Sequence, residues 1–253
     1  MGSVDKLKVG DSIGIFSPST PITYSCPKRF KRAIKYLQDK GFKIILGKLT
    51  EKHDFYRSGT IKERAEELND LIRNPEVRCI MSTIGGMNSN SLLPYIDYKA
   101  LKRDPKIIIG YSDVTAILLA IYAQTGISTY YGPALVASFG ELPPFVDDTY
   151  QYFAEIVMDN PMTPYVFETP EYWTDEYINW ETQDRSKEKR ENQWLTVFDG
   201  VVRGRVIGGN LDTIQGIWGS KYMPQIKKGD LLFIEDSLKD CAIIERSFSL
   251  LKV

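Results

Sequence analysis

Short apolar runs alternate with amphipathic segments along the first half of the chain. The apolar runs have the length of strands and lie at residues 12–16, 42–46, 77–83, 106–110 and 127–133. The segments with helical spacing of apolar residues lie at 27–40, 61–73, 91–96 and 113–124. This order predicts an α/β fold in which a parallel sheet carries helices on both faces. Ligands of such sheets bind at the carboxyl ends of the strands, where we expect the site.

The second half of the chain has a different pattern. Residues 141–165 are rich in proline, aspartate and aromatic residues and are predicted to form a crossing segment. The polar stretch 168–194 carries Trp173, Trp180 and Trp194, whereas a pure linker would have few aromatic residues. We interpret this stretch as a lid with aromatic anchors. The alternative, that Trp173 and Trp194 only dock the loop on its own domain, has equal support.

Strand and helix patterns return after residue 200. A strand pattern ending at Asn210 is followed by a short helical pattern, a strand at 230–236 and a helix that begins near Cys241. The sequence therefore predicts three units, which span residues 1–165, 166–200 and 201–253.

Composition and charge exclude several classes of function. Apolar residues make up 43% of the chain and the net charge is −1, so neither nucleic acid polymers nor membranes are expected partners. The cysteines are Cys26, Cys79 and Cys241, an odd number without a C-x-x-C motif. We therefore expect no disulfide scaffold, no metal and no cofactor, and a reducing, cytoplasmic location. The sequence shows neither an apolar targeting segment nor a run of membrane-spanning length.

Ser112 is the first candidate for chemistry. It follows the apolar run at 106–110 and precedes a helical pattern. A serine at such a boundary is often only a helix cap, as Asp113 also could be. A tight strand-to-helix corner, however, also exposes the hydroxyl beside unpaired helix N–H groups, which can stabilise an oxyanion. The G-Y-S-D motif by itself favours the cap.

Two further features lie at predicted strand ends. Gly85 and Gly86 follow the third apolar run, where glycines let the backbone approach a ligand and leave N–H groups free. Taken alone, they are better explained as a structural turn. Glu235 follows four apolar residues, and a carboxylate there is costly to bury without a partner. It could orient a histidine as the acid of a catalytic triad, with Asp236 as the alternative.

Four segments together resemble one protein family. They are GGMNSNSLLPYIDY, IIGYSDVTAILLAIYAQTGISTYYGP, RVIGGNLDTIQGIWGSKYMPQI and GDLLFIEDS. Their combination resembles the LD-carboxypeptidase family of serine peptidases, in the branch of the microcin C immunity proteins. The resemblance extends from about Lys6 to the last residue. It implies a Rossmann-like N-terminal domain, a smaller β-rich C-terminal domain that is incomplete here, and a homodimer.

The resemblance also assigns roles to residues. It implies that Ser112 is the nucleophile, that Glu235 is the triad acid, and that the N–H groups of Asp113 and Gly86, or of Gly85, stabilise the oxyanion. Trp180 is expected to stack on a nucleobase, and Asn210 is assigned to substrate binding.

The chain departs from the family pattern at the catalytic base. The triad needs a histidine several tens of residues after Glu235, but the sequence ends at Val253, within a helical pattern. The single histidine is His53, which is expected in a surface loop. We therefore expect either a fragment of a longer enzyme or a truncated product with little activity.

The sequence thus predicts a serine carboxypeptidase-like amide hydrolase. Its first expected substrate is a peptidyl- or aminoacyl-nucleotide, as in microcin C self-immunity, and its second is an L,D-linked murein peptide. The alternative is a non-catalytic protein that binds a nucleotide or a peptide in the same cleft.

Overall fold

In the computed structural model, which describes residues 4–158, 165–237 and 239–251, nine strands are present. They are β1 (Ser12–Phe16), β2 (Lys43–Leu46), β3 (Val77–Ser82), β4 (Ile107–Gly110), β5 (Tyr130–Tyr131), β6 (Tyr172–Trp173), β7 (Arg190–Glu191), β8 (Val206–Asn210) and β9 (Leu231–Glu235). The first five form one sheet of order β2-β1-β3-β4-β5, in which every pair is parallel. The predicted parallel sheet is confirmed.

The described residues also form eight α-helices. They are α1 (Ile22–Ser25), α2 (Pro27–Asp39), α3 (Ile61–Arg73), α4 (Tyr98–Arg103), α5 (Thr115–Thr125), α6 (Phe145–Val157), α7 (Leu211–Gln215) and α8 (Cys241–Leu250). Two 3₁₀ turns, at Ser89–Tyr95 and Ser112–Val114, and a π-helical turn at Leu135–Phe139 complete the regular structure. No helix in these described parts is long and apolar enough to cross a membrane.

Each face of the main sheet has its own apolar core. Helices α3 and α5 cover one face, where Leu68 and Ile117 are fully buried. Helices α2 and α6 cover the other face, where Leu37 and Phe153 are buried. Burying two such layers is the main favourable contribution to folding. The prediction of helices on both sides is confirmed.

The C-terminal part is smaller and packs on the same core. Strands β8 and β9 form a parallel pair, and α7 and α8 flank it in the described residues. Ile207, Leu211 and Ile214 belong to the same buried cluster as α5. This packing seats the C-terminal strands against the helix that follows Ser112, and the predicted α/β fold with a smaller C-terminal part is confirmed.

The segment at 141–165 differs from the predicted crossing segment. Helix α6 occupies most of it, with Val146, Phe153 and Val157 buried. Their spacing is helical, but the many prolines and aspartates of the segment concealed it. Residues 159–164, beside the predicted boundary at 165, lie outside the described residues.

Candidate active site

Ser112 lies at a strained corner between β4 and α5. Its backbone φ is +60°, one of three positive values among the described non-glycine residues. Such a conformation costs about 1–3 kcal/mol and persists only where the surroundings enforce it. Here the Tyr131 hydroxyl accepts a hydrogen bond from the Ser112 N–H at 2.9 Å. The Thr115 hydroxyl donates to the Ser112 carbonyl at 2.6 Å, so both sides of the corner are fixed.

The diglycine turn lies directly beside this serine. A Cβ added to Gly85 would lie 3.1 Å from both Ser112 Oγ and the Asp113 nitrogen. Gly86 has a φ of +151°, and an added Cβ would lie 2.2 Å from Ser19 Oγ. Glycine is therefore required at Gly86 by close approach and by its backbone conformation, whereas at Gly85 a side chain would be tightly packed against Ser112.

Two backbone N–H groups near the serine have no acceptor. Within the described ranges, neither the Gly86 N–H nor the Asp113 N–H donates a hydrogen bond to another residue. Buried N–H groups are almost always paired in folded proteins. Free donors beside a serine hydroxyl are suited to hold the oxygen of a tetrahedral intermediate.

The Asp113 side chain fixes the segment that follows the diglycine turn. Its Oδ2 accepts hydrogen bonds from the N–H groups of Asn88 at 3.1 Å and Ser89 at 3.0 Å. The Ser89 hydroxyl donates to the Asp113 carbonyl at 2.5 Å. Burial raises the pKa of the Asp113 carboxyl, whereas the hydrogen bonds from Ser89, Ser19 and Asn88 lower it.

Glu235 reaches the corner through Tyr131. The Tyr131 hydroxyl donates a hydrogen bond to Glu235 Oε1 while it accepts the one from Ser112. Burial and the bond to Glu235 raise the pKa of Tyr131, so this hydroxyl keeps its proton. A single phenol thus joins the nucleophile candidate to the candidate triad acid.

Asn210 is held next to the same corner. It pairs with Glu235 in the β8–β9 ladder, and its N–H donates to Thr115 Oγ1 at 3.0 Å. Its side-chain oxygen caps α7 by accepting from the Thr213 N–H at 3.0 Å. The side-chain oxygen is therefore already occupied by the cap.

A cavity of about 250 Å³ brings most of the predicted site together. Gly86, Ser112, Asp113 and Asn210 line it, and Gly85 contacts Ser112 from behind. Asp236, the alternative triad acid, lines it too, and the lining also includes residues that the sequence did not assign to the site, namely Met87, Asn90, Asp212, Thr213, Gly216, Ser237 and Lys239.

Lys239 supplies the positive charge of this lining. Its ammonium lies 3.2 Å from Asp212 Oδ2, and both side chains are partly exposed. Asp236, weighed as the alternative acid, lines the cavity, whereas Glu235 bonds to Tyr131. No periodic pattern marks Lys239 or Tyr131; only proximity to the E-D motif and to β5 could have indicated them.

Trp180 contacts the beginning of α2. It is not among the residues that line the cavity with Ser112. The guanidinium of Arg29 lies over its ring at 4.3 Å from the centroid. The neighbouring Glu181 carboxylate accepts hydrogen bonds from the first N–H groups of α2, at Lys28 and Arg29. These contacts dock the middle of the lid on the N-terminal domain.

His53 is the remaining candidate for a catalytic base. The His53 ring is exposed and stacks on Tyr24 with a centroid separation of 3.9 Å. It does not line the cavity that contains Ser112. The described residues contain no cluster of three or more His, Cys, Asp or Glu side chains that could hold a metal ion.

Family models and relatives match the chain along most of its length. The LD-carboxypeptidase N-terminal domain matches residues 13–132, and the LD-carboxypeptidase C-terminal domain matches 203–253. A putative carboxypeptidase of Vibrio cholerae is 60% identical over 96% of this chain and 72% of its own length. The microcin C7 self-immunity protein MccF of Escherichia coli is 57% identical, over 98% and 72%. A probable murein peptide carboxypeptidase of Bacillus subtilis is 27% identical, over 98% and 69%.

Solved structures agree with these matches. MccF bound to glutamyl sulfamoyl guanosine is similar to this structure with a TM-score of 0.94 and 56% identity, over 97% of this chain and 74% of that one. MccF bound to aspartyl sulfamoyl adenosine gives the same TM-score at 57% identity, with the same coverage. With both domain models matched and the shared fold in place, this chain belongs to the LD-carboxypeptidase family.

Proposed function

We propose that this protein is a serine-type amide hydrolase that removes an amino acid or peptide from a nucleotide conjugate. The observation that carries the proposal is the contact between Ser112 and the diglycine turn. Ser112 is held at a positive φ, and its hydroxyl lies against Gly85 and beside the unpaired Asp113 N–H. This arrangement combines a displayed nucleophile with preorganised donors, as acyl transfer requires.

The proposed reaction proceeds through an acyl-enzyme. Ser112 Oγ attacks the amide carbonyl carbon, and a histidine base takes the hydroxyl proton. The carbonyl oxygen becomes an oxyanion that accepts hydrogen bonds from the Gly86 and Asp113 N–H groups. The C–N bond then breaks, the base gives its proton to the leaving nitrogen, and water hydrolyses the ester at Ser112.

Glu235 and Tyr131 support this sequence of steps. Glu235 would fix the tautomer of the histidine and stabilise its positive charge, as the acid does in other triads. We propose, by resemblance to the family, that this histidine follows Val253 in the full protein. Tyr131 keeps Glu235 in place and leaves its second carboxylate oxygen for the histidine.

The substrate class is inferred from the relatives. MccF is a microcin C7 self-immunity protein and has been solved with aminoacyl sulfamoyl nucleosides. The charge of the cavity does not select the substrate, because Lys239 is paired with Asp212 and shares the lining with Asp113 and Asp236. We therefore propose an aminoacyl- or peptidyl-nucleotide as the first substrate, and an L,D-linked murein peptide as the second, in view of the Bacillus subtilis relative. The homodimer and the cytoplasmic location remain predictions.

Labelling by a fluorophosphonate tests whether Ser112 is the nucleophile. The label is located by intact-protein and peptide mass spectrometry. Labelling of this chain should be slow, because the proposed base lies outside it, but it should fall at Ser112, and the Ser112→Ala variant should not be labelled. A chimera extended at its C-terminus with the remaining segment of the Vibrio cholerae relative tests the base. We expect it to be labelled faster and to release glutamate from glutamyl sulfamoyl adenosine. Binding of this compound without labelling or hydrolysis in either form would instead favour the non-catalytic binding protein.

A further inference from the structure

Arg64 is a buried cation that the proposed reaction does not use. Its side chain lies on α3 with a residue exposure of 1%. Its guanidinium donates to the carbonyls of Gly59 at 2.9 Å and Pro18 at 2.6 Å. Arg64 takes part in none of the ion pairs found among the described residues. Burying a charge without an ion-pair partner destabilises a protein, so we expect the hydrogen bonds of Arg64 to have a function.

Arg64 also makes two hydrogen bonds to Asn88. Nη1 donates to Asn88 Oδ1 at 2.7 Å and to the Asn88 carbonyl at 3.3 Å. The N–H of the same residue donates to the Asp113 carboxylate at 3.1 Å. Asn88 is therefore held between a buried cation and a buried anion, and the anion belongs to the residue that follows Ser112.

Ser19 transmits this restraint to the diglycine turn. Its hydroxyl donates to Asn88 Oδ1 at 2.9 Å and accepts from the N–H groups of Met87 at 3.0 Å and Asn88 at 3.2 Å. Gly86 is packed against the same hydroxyl, with no room for a side chain. The direction of the Gly86 N–H is thus set by a hydrogen-bonded unit that has Arg64 at its base.

We propose that Arg64 is a positioning residue that aims the Gly86 N–H at the oxyanion through Asn88 and Ser19. The inference rests on the proposed function, because it names the group that holds the oxyanion donors. The planar guanidinium makes these bonds in one fixed geometry, which neither lysine nor a neutral side chain can reproduce. Loss of Arg64 removes one of the partners that hold Asn88 and lets the turn move, whereas Ser112 stays fixed between β4 and α5.

The Arg64→Gln variant tests this role, with Lys106→Met as the matched control. Lys106 is equally buried, but it binds the carbonyls of Asn74 and Val77 near the opposite end of the sheet. Fluorophosphonate labelling of Ser112, measured for every variant in the C-terminally extended chimera because the proposed base lies outside this chain, gives a maximal rate constant and an apparent dissociation constant. For Arg64→Gln we expect the rate constant to fall about tenfold or more, with unchanged affinity. Lys106→Met should lower the melting temperature without changing the rate constant.

A second measurement does not depend on chemistry at Ser112. Hydrogen exchange of the amides at residues 86–89 should become faster in Arg64→Gln than in Lys106→Met. The Asn88→Ala variant keeps the contacts of Arg64 to Gly59 and Pro18 and should accelerate the same amides, even if Arg64→Gln does not fold. Unchanged exchange and an unchanged rate constant would overturn the inference. Faster exchange, together with no labelling of Ser112 in the extended chimera, would support the positioning role and reject the hydrolase.

Discussion

The Tyr131 hydroxyl accepts the backbone N–H of Ser112 at 2.9 Å. The same oxygen donates to Glu235, a residue 104 positions away in the sequence. This hydrogen bond is therefore the direct physical link between the strained serine corner and the strand that carries the candidate acid. It forms only when the C-terminal strands dock on the N-terminal sheet.

Tyr131→Phe should weaken the site without unfolding the protein. The variant leaves the Ser112 N–H and one Glu235 oxygen unpaired, and each loss costs about 1–3 kcal/mol. We expect Ser112 labelling to slow about tenfold and urea stability to fall. Tyr130→Phe is the matched control, since Tyr130 is the neighbouring half-buried tyrosine on β5. Equal labelling of the Tyr131 variant and wild type would show that the corner does not depend on this phenol.

Gly86→Ala should abolish the diglycine turn in its present form. An added methyl would lie 2.2 Å from Ser19 Oγ, and the φ of +151° is unfavourable for alanine. We expect labelling of Ser112 to fall by about 100-fold, the loss that follows removal of one oxyanion donor. Gly126→Ala controls for backbone strain, because Gly126 also has a positive φ but has open space around it. Its labelling rate should match wild type while its stability falls by about 1 kcal/mol.

Local pattern was enough to predict the main sheet and the position of Ser112. Strands β1, β3 and β4 are almost wholly buried and therefore are continuous apolar runs in the sequence. Ser112 follows such a run at the boundary with a helix, which is itself a local signal. The sequence pattern predicts a strand or helix correctly where the residues of that element alone show that it is buried.

Long-range contacts account for what the sequence did not predict. Tyr131 acquires its partners only through tertiary docking, so no spacing rule marks it. Arg64 did carry a signal, since it lies beside Ile61, Ala65 and Leu68 on the apolar face of α3. A charged residue within an apolar stripe indicates a buried polar partner. Glu67 on the same helix is also buried, and the N–H groups that donate to it, those of Ser17 and Leu49, follow two strands that the sequence does not connect.

The burial of Glu67 predicts that the stability of the protein falls as the pH rises from acidic to neutral. Its carboxylate accepts the N–H groups of Ser17 and Leu49, each at 2.7 Å. Burial raises the pKa of Glu67 to about 7, although these hydrogen bonds lower it. The carboxyl of an unfolded glutamate has a pKa of about 4.3. Between this pH and about pH 7, the Glu67 carboxyl is therefore protonated in the native state and ionised in the unfolded state. The contribution of Glu67 to the free energy of unfolding is therefore complete below about pH 4. It falls as the pH rises and is lost once the pH has passed about 7.

Urea unfolding at several pH values between about 4 and 8 checks this expectation. The contribution of Glu67 should decline by about 3 kcal/mol across the interval. Glu67→Gln should remove that decline, whereas Glu66→Gln, an exposed neighbour on α3, should retain it. A decline that persists in Glu67→Gln would assign the pH dependence to another group.

The stacking of Trp180 on a nucleobase stays a prediction. One face of its ring is covered by Arg29, and the ring is absent from the cavity beside Ser112. If it stacks on a nucleobase, the base must lie on the ring face opposite Arg29. The cation beneath the ring orients the indole, so the docked lid presents a fixed platform for a base.

Binding of adenosine monophosphate, measured by calorimetry, tests this platform. Trp180→Ala should weaken binding about tenfold or more, because stacking on one aromatic side chain contributes about 1–3 kcal/mol. Trp180→Phe should retain part of the affinity. Trp194→Ala is the control, since Trp194 is 79% exposed on the same lid. If Trp194→Ala reduced affinity and Trp180→Ala did not, the platform would be Trp194, and the contact between Trp180 and Arg29 would only anchor the lid.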